Sequence, residues 1–166
     1  MTVQGLKIRL VNFCVNHIFA GTKERHFEMK RKLLNSIGFK IGKGTKIVGP
    51  IYSTGKLIVG ENCWIGKNFI VNGNGCVTIG NNCDIAPDVL VQTGSHEIGD
   101  ETRRAGTGYN LDVVIGNGCW IGCRATILPG VIVGNSSVIA SCACVNNNVD
   151  ENLLVGGVPA KEIRKL

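Results

Sequence analysis

Only three histidines and four prolines occur among the 166 residues, aromatic side chains make up 5% and charged residues 18%. Each shortage excludes something. Two of the histidines, His17 and His26, fall in the first 26 residues, and none of the eight cysteines forms a Cys-x-x-Cys pair, so no metal cage is expected. A chain of this length can also bury a core without disulfide staples. Sparse aromatics leave no stacking platform for a nucleic-acid strand. Four prolines without a Gly-X-Y rhythm exclude a collagen-like rod. The apolar residues of the first twenty are interrupted by Lys7, Arg9, Asn12, Asn16 and His17, so neither a signal peptide nor a membrane span reads there. The expectation is a reduced, cytoplasmic protein.

Charge is unevenly placed. The formal net charge is +6, yet residues 1–40 hold eight Lys/Arg against Glu24 and Glu28, while residues 41–166 hold ten against ten. The excess belongs to a basic N-terminal arm. Such an arm reads first as a solvated face, and no nucleic-acid partner is expected; membrane docking is its less favoured reading.

What the sequence has in quantity is glycine, 23 residues, and a β-branched rhythm. Ile or Val falls on every sixth position in three runs: Val59, Ile65, Val71; Ile79, Ile85, Val91; and Ile115, Ile121, Ile127, Val133, Ile139, Val145. These two types make up 36 of 166 residues. Twelve hits in phase therefore have chance odds on the order of 10⁻⁸ before the choice of phase is allowed for. A period of six fits neither a helix nor a flat amphipathic strand. It fits a coil of three short strands and three turns, each six-residue unit forming one side of a triangular prism with its β-branched residue inward. The residue after the clock position is usually small (Gly60, Gly66, Gly80, Ala86, Gly116, Gly122, Gly134, Ala140), which suggests that glycine permits the corner. Four places on, Cys63, Cys83 and Cys119 become small inward fillers. From Ile41 to about Asp150 there is room for roughly five coils, a prism about 25 Å long.

Two departures from the clock carry information. Between Val71 and Ile79 two extra residues create a polar bulge beginning at Asn72. After Val91 the rhythm stops and restarts in phase at Ile115, leaving residues 97–114 as an excursion loop of the kind that usually carries function. His96, the only histidine outside the helical arm, stands where the loop begins, and a neutral imidazole there is a good general base near pH 7. Before the prism, Leu6, Leu10, Cys14 and Ile18 share a helical face at i+4 spacing, and Thr22 is placed to cap a second helix that runs to Ile37 and closes at Gly38. After it, Gly156-Gly157-Val158-Pro159-Ala160 turns the chain toward a short final helix carrying Lys161 and Arg164, cations that either face solvent or hold phosphates. The expected organisation is a helical cap over 1–40, the prism over 41–155 and a terminal turn and helix over 156–166.

The rhythm, the segment TGSHEIGDETRRAG, the run VVIGNGCWIGCRATILPGVIVGNSSVIASC and the tail LLVGGVPAKEIRKL together resemble the hexapeptide-repeat acetyltransferases, in particular the maltose/galactoside O-acetyltransferase-like branch. The resemblance covers roughly residues 41–166. It implies a mainly β fold, the left-handed parallel β-helix, in a homotrimer with active sites between subunits, acetyl-CoA as co-substrate and His96 as the catalytic histidine. It implies Asn72 and Trp120 as acceptor-side residues, and Cys123, Ser141, Asn146, Asn147, Lys161 and Arg164 as contacts of coenzyme A. Arg103, with Arg104 and Tyr109, is expected to shape the acceptor pocket from the loop. The implied activity is O-acetylation of a sugar or polysaccharide unit. Rivals are acetylation of an antibiotic, of serine or of a sugar-nucleotide amine, and, from another class, a non-catalytic solenoid scaffold.

Overall fold

The structure is a computed structural model and describes residues 2–166. Helix α1 (Val3–Phe13) runs into a short π-helical turn (Cys14–Ile18), and helix α2 (Glu24–Asn35) follows. From Lys40 the chain winds through five complete three-strand coils and enters a sixth. The strands stack into three parallel sheets of five, seven and five, the seven including one antiparallel strand at its end. Each rung pairs with the one above it in register, as in Ile65↔Ile85, Ile85↔Ile121 and Ile121↔Ile139. All twelve clock residues point inward, none more than 2% exposed.

The corners depart from the sequence expectation. Left-handed backbone falls three places after the clock residue, at Asn62, Asn68, Asn82, Asp88, Gly118, Arg124, Ser136 and Cys142, with φ between 55° and 66°. The small residue directly after the clock serves close approach instead. A Cβ at Gly116 lies 2.7 to 3.0 Å from Asn135, so the coils cannot stack with a side chain there. Inside one corner runs a ladder of polar side chains. Thr45 donates to the Gly60 carbonyl at 2.7 Å, Cys63 to Gly80 at 3.1 Å, Cys83 to Gly116 at 3.0 Å, Cys119 to Gly134 at 3.1 Å and Ser137 to Asp150 at 2.8 Å. The inward cysteines are thus fillers with a hydrogen-bonding task. The hydrogen bonds of Cys119 and Cys63, together with burial, push the Cys83 thiol up and keep it protonated.

The helices close the first coil through side chains. Asn35 pairs with both backbone groups of Ile41 (2.8 and 3.1 Å) and Asn16 with both of Ile51 (2.9 Å each), one at the open edge of each five-stranded sheet. Lys30, completely buried, donates to the Val48 carbonyl at 3.0 Å and the Gly21 carbonyl at 2.9 Å and lies over the Phe27 ring. Three details of the arm differ from expectation. Val11 and Val15, themselves at i+4 spacing, pack inward while Leu6 and Leu10 are exposed. Lys23, not Thr22, is the N-cap of α2 and makes no side-chain cap bond. The helix ends at Asn35 because that side chain is engaged by Ile41.

Burial lowers the Lys30 ammonium from 10.5 to about 8. Below pH 8 folded and unfolded chains both carry the proton; between 8 and 10.5 only the unfolded chain does, so stability rises with pH across that window. Urea unfolding at the two ends of the window is expected to show the protein gaining about 3 kcal/mol relative to Lys30→Met. Parallel pH dependences of the two proteins contradict this assignment.

The C-terminus is not helical. After Leu153–Gly157 the chain reverses at Gly157 (φ 99°) and returns as the strand Ala160–Lys165, antiparallel to it. The outer edge of the last rung offered unpaired backbone groups that a helix could not satisfy.

Candidate active site

The excursion expected over 97–114 is an ordered β-hairpin that starts earlier. Gly94–Ile98 pairs antiparallel with Ala105–Asn110. Its tip is closed by Asp100, whose carboxylate accepts from the Thr102 hydroxyl (2.6 Å), the Thr102 N–H (2.9 Å) and the Arg103 N–H (3.2 Å), holding its carboxyl below the usual range. Its root is tied to the Asn72 bulge. Buried Thr93 donates its N–H (2.7 Å) and its hydroxyl (2.9 Å) to the Asn72 carbonyl, and its hydroxyl accepts from the Gly75 N–H (3.1 Å). Asn110 accepts from the Asn74 N–H and Asp112 from the Cys76 N–H, both at 2.7 Å. The two departures from the six-residue clock are therefore one structural unit.

His96 projects from this hairpin opposite Gly108, which has no side chain to cover the ring. The ring lines a shallow cavity of about 340 Å³ with Ser95, Tyr109 and Asn110. Its Nδ1 lies 2.9 Å from the Gly106 carbonyl. A carbonyl can only accept, so Nδ1 carries the proton and the neutral ring keeps a lone pair on Nε2. The backbone thus selects the tautomer that can act as a base.

Asn72 lines a second cavity, of about 370 Å³, between the prism and the helical arm, with Tyr52, Thr54, Phe13 and His17 among its walls. Tyr52 and His17 are site candidates that sequence reasoning missed. Counting one coil of eighteen residues back from Asn72 lands on Thr54, two residues from Tyr52, so the signal was present. Arg103 sits at the hairpin tip, outside both cavities.

The residues expected at the coenzyme fall in two places. Cys123 and Ser141 stack one coil apart at the corner after Ile121 and Ile139, with the thiol 3.5 Å from the hydroxyl. Trp120, 58% exposed, lies on the adjoining face between Asp84 and Val138. Asn146 and Asn147 bond to one another at 3.0 Å, and Asn147 and Lys161 line one cavity near the C-terminal end. Lys161 and Arg164 would oppose each other on a regular strand. A bulge at Ile163 pairs them with Gly156 and Leu154, two residues apart, and so sets both cations on one face. One side of the triangle, roughly 20 Å of extended chain, separates the His96 corner from that of Cys123 and Ser141.

Residues 112–147 match the bacterial transferase hexapeptide family (six repeats), and residues 56–90 match the hexapeptide repeat of succinyl-transferase. The galactoside O-acetyltransferase of Escherichia coli is 33% identical over 145 residues, 84% of this chain and 70% of that protein. The chain belongs to the hexapeptide-repeat acetyltransferase family. Within it, a putative colanic acid biosynthesis acetyltransferase of Escherichia coli is 30% identical over 150 residues, 89% of this chain and 81% of that one. The structure of a galactoside acetyltransferase in complex with coenzyme A superposes with a TM-score of 0.83 at 28% identity, covering 98% of this acetyltransferase and 80% of its own chain. The prism is accordingly the left-handed β-helix of that family. The tail strand is the one element of the expected fold class that differs.

Proposed function

We propose that this protein transfers the acetyl group of acetyl-CoA to a hydroxyl of a sugar or polysaccharide unit, with His96 as general base. The observation that carries the reading is the bond from Nδ1–H to the Gly106 carbonyl, which in the neutral ring puts the lone pair on Nε2. An acceptor hydroxyl is a weak nucleophile near neutral pH. Nε2 takes its proton as the oxygen attacks the thioester carbonyl. The tetrahedral oxyanion is held by a backbone N–H at Ser141 or Cys123, and the C–S bond breaks as the imidazolium returns the proton to the departing thiolate. The oxygen gains the acetyl group and the coenzyme leaves as a thiol, so atoms and charge balance.

Cys123 and Ser141 lie a triangle side away from His96, which supports a complete site formed between neighbouring copies in a homotrimer. Kinship with a galactoside enzyme and a putative colanic acid enzyme supports a glycan acceptor. Acetyl-CoA as donor supports a cytoplasmic reaction. Asn72 and Trp120 line the acceptor side, Arg103 frames its approach, and Cys123, Ser141, Asn146 and Asn147 flank the coenzyme. Lys161 and Arg164 hold its phosphates through charge-assisted bonds.

The decisive test follows free thiol released from acetyl-CoA against a panel of sugars, glycan fragments, serine and streptogramins. Turnover with a sugar or glycan fragment is expected. Turnover confined to serine or an antibiotic overturns the acceptor class, and no turnover with any acceptor favours the scaffold. In the same assay, Lys161→Ala and Arg164→Ala are each expected to raise KM for acetyl-CoA about tenfold or more with kcat nearly unchanged.

A further inference from the structure

The exposed face of α1 is the feature that the acetyl-transfer reading leaves unused. Val3, Leu6, Leu10 and Phe13 are 88%, 55%, 61% and 55% exposed. At about 100° per residue they occupy an arc of roughly 80°, away from the inward-facing Val11. Lys7 and Arg9 fall on either side of that arc. The helix therefore presents an apolar stripe bordered by two cations. The Lys7 ammonium already donates to the Ser36 carbonyl at 2.7 Å, which anchors it beside the stripe with further N–H donors facing outward. The arm that carries the stripe is basic, eight Lys/Arg against two Glu in residues 1–40 with Lys30 buried, whereas the rest of the chain is balanced. Glu28 is paired to Arg31 and Lys32, and Glu24 to Lys46, so the acidic minority is already neutralised.

We propose that α1 seats this protein on an anionic lipid surface, its stripe entering the boundary between headgroups and acyl chains and its cations meeting the headgroup phosphates. Charge complementarity selects this occupant. A second copy docking on the same face brings two equally positive arms together, whereas anionic lipid compensates both the charge and the apolar area. No helix among the described residues is long and apolar enough to cross a bilayer, so the helix lies in the surface. Phe13 belongs both to the stripe and to the cavity that holds Asn72, which sets that cavity beside the lipid. Under the acetyl-transfer reading, an acceptor held at a membrane reaches it directly.

The full chain is sedimented with vesicles of phosphatidylcholine alone and with vesicles containing about 30% phosphatidylglycerol, at roughly 0.1 M salt. Partitioning is expected to be at least about tenfold greater with the anionic lipid, and to fall as salt is raised. The doublet Leu6→Asp, Leu10→Asp is expected to abolish it with an unchanged melting temperature, since neither side chain is buried. Equal binding to both vesicle types, or undiminished binding by the doublet, overturns the proposal. So does a smaller assembly for the doublet in light scattering, which assigns the stripe to a second copy. His96→Ala is expected to bind vesicles like the unaltered protein, and the doublet to release thiol with a water-soluble acceptor at the normal rate. Docking and chemistry therefore fail separately.

Discussion

Replacing His96 with alanine is expected to lower kcat for acetyl transfer by about 10²–10⁴ while leaving the affinity for acetyl-CoA within about twofold. The size follows from what is removed. Without Nε2 the hydroxyl must lose its proton to water as it attacks, and nothing else in the cavity replaces a base. The ring is exposed and bonds to the Gly106 carbonyl, which is itself not buried, so its loss leaves no buried group unpaired. Thiol release measures the chemistry, and titration calorimetry with acetyl-CoA measures binding. A variant that still turns over at the normal rate removes the imidazole from the mechanism. Glutamine at this position makes a stricter test, since it retains hydrogen-bonding capacity but cannot take the proton.

The largest stability effect is expected at the centre of the prism. Ile121 is fully buried and stacked in register between Ile85 and Ile139, with rungs on both sides that are themselves fixed by backbone hydrogen bonds. The surroundings cannot collapse into the space left by a shorter side chain. Ile121→Ala is therefore expected at the upper part of the usual range, about 4–5 kcal/mol, read from the shift of the urea unfolding midpoint at constant slope. A loss below about 1 kcal/mol contradicts a rigid stack.

These expectations rest on parts of the protein that the sequence displays to different degrees. The clock residues were legible because one side of a coil is six residues long, and a repeat twelve hits deep survives any local irregularity. The left-handed corner was legible only in part. Asn62, Asn68, Asn82, Asp88 and Gly118 are residues that tolerate it, but Arg124, Ser136 and Cys142 take the same conformation where rungs hydrogen-bond above and below. The final strand was missed for a related reason. Ala160–Lys165 has a helix-compatible composition, and only the unpaired edge of Leu153–Gly157 makes the extended form preferable. In the site, His96 stood out as the lone histidine of the body. The bonds that orient it depend on Gly106 and on the anchoring of Thr93, Asn110 and Asp112 to the bulge, pairings between residues up to 36 positions apart. Spacing alone does not reveal such partners, since the hairpin interrupts the count that links one coil to the next.

Asn16, Lys30 and Asn35 meet the backbone of the first coil as a further rung would, and at the far end the reversed strand Ala160–Lys165 shields one sheet with a border of lysine, glutamate and arginine. The sheet so covered at both ends cannot lengthen by recruiting more of itself. Under the proposed homotrimer the flanks are the avenue for association, and flank-to-flank contact closes three copies into a ring of fixed size instead of extending as a fibre.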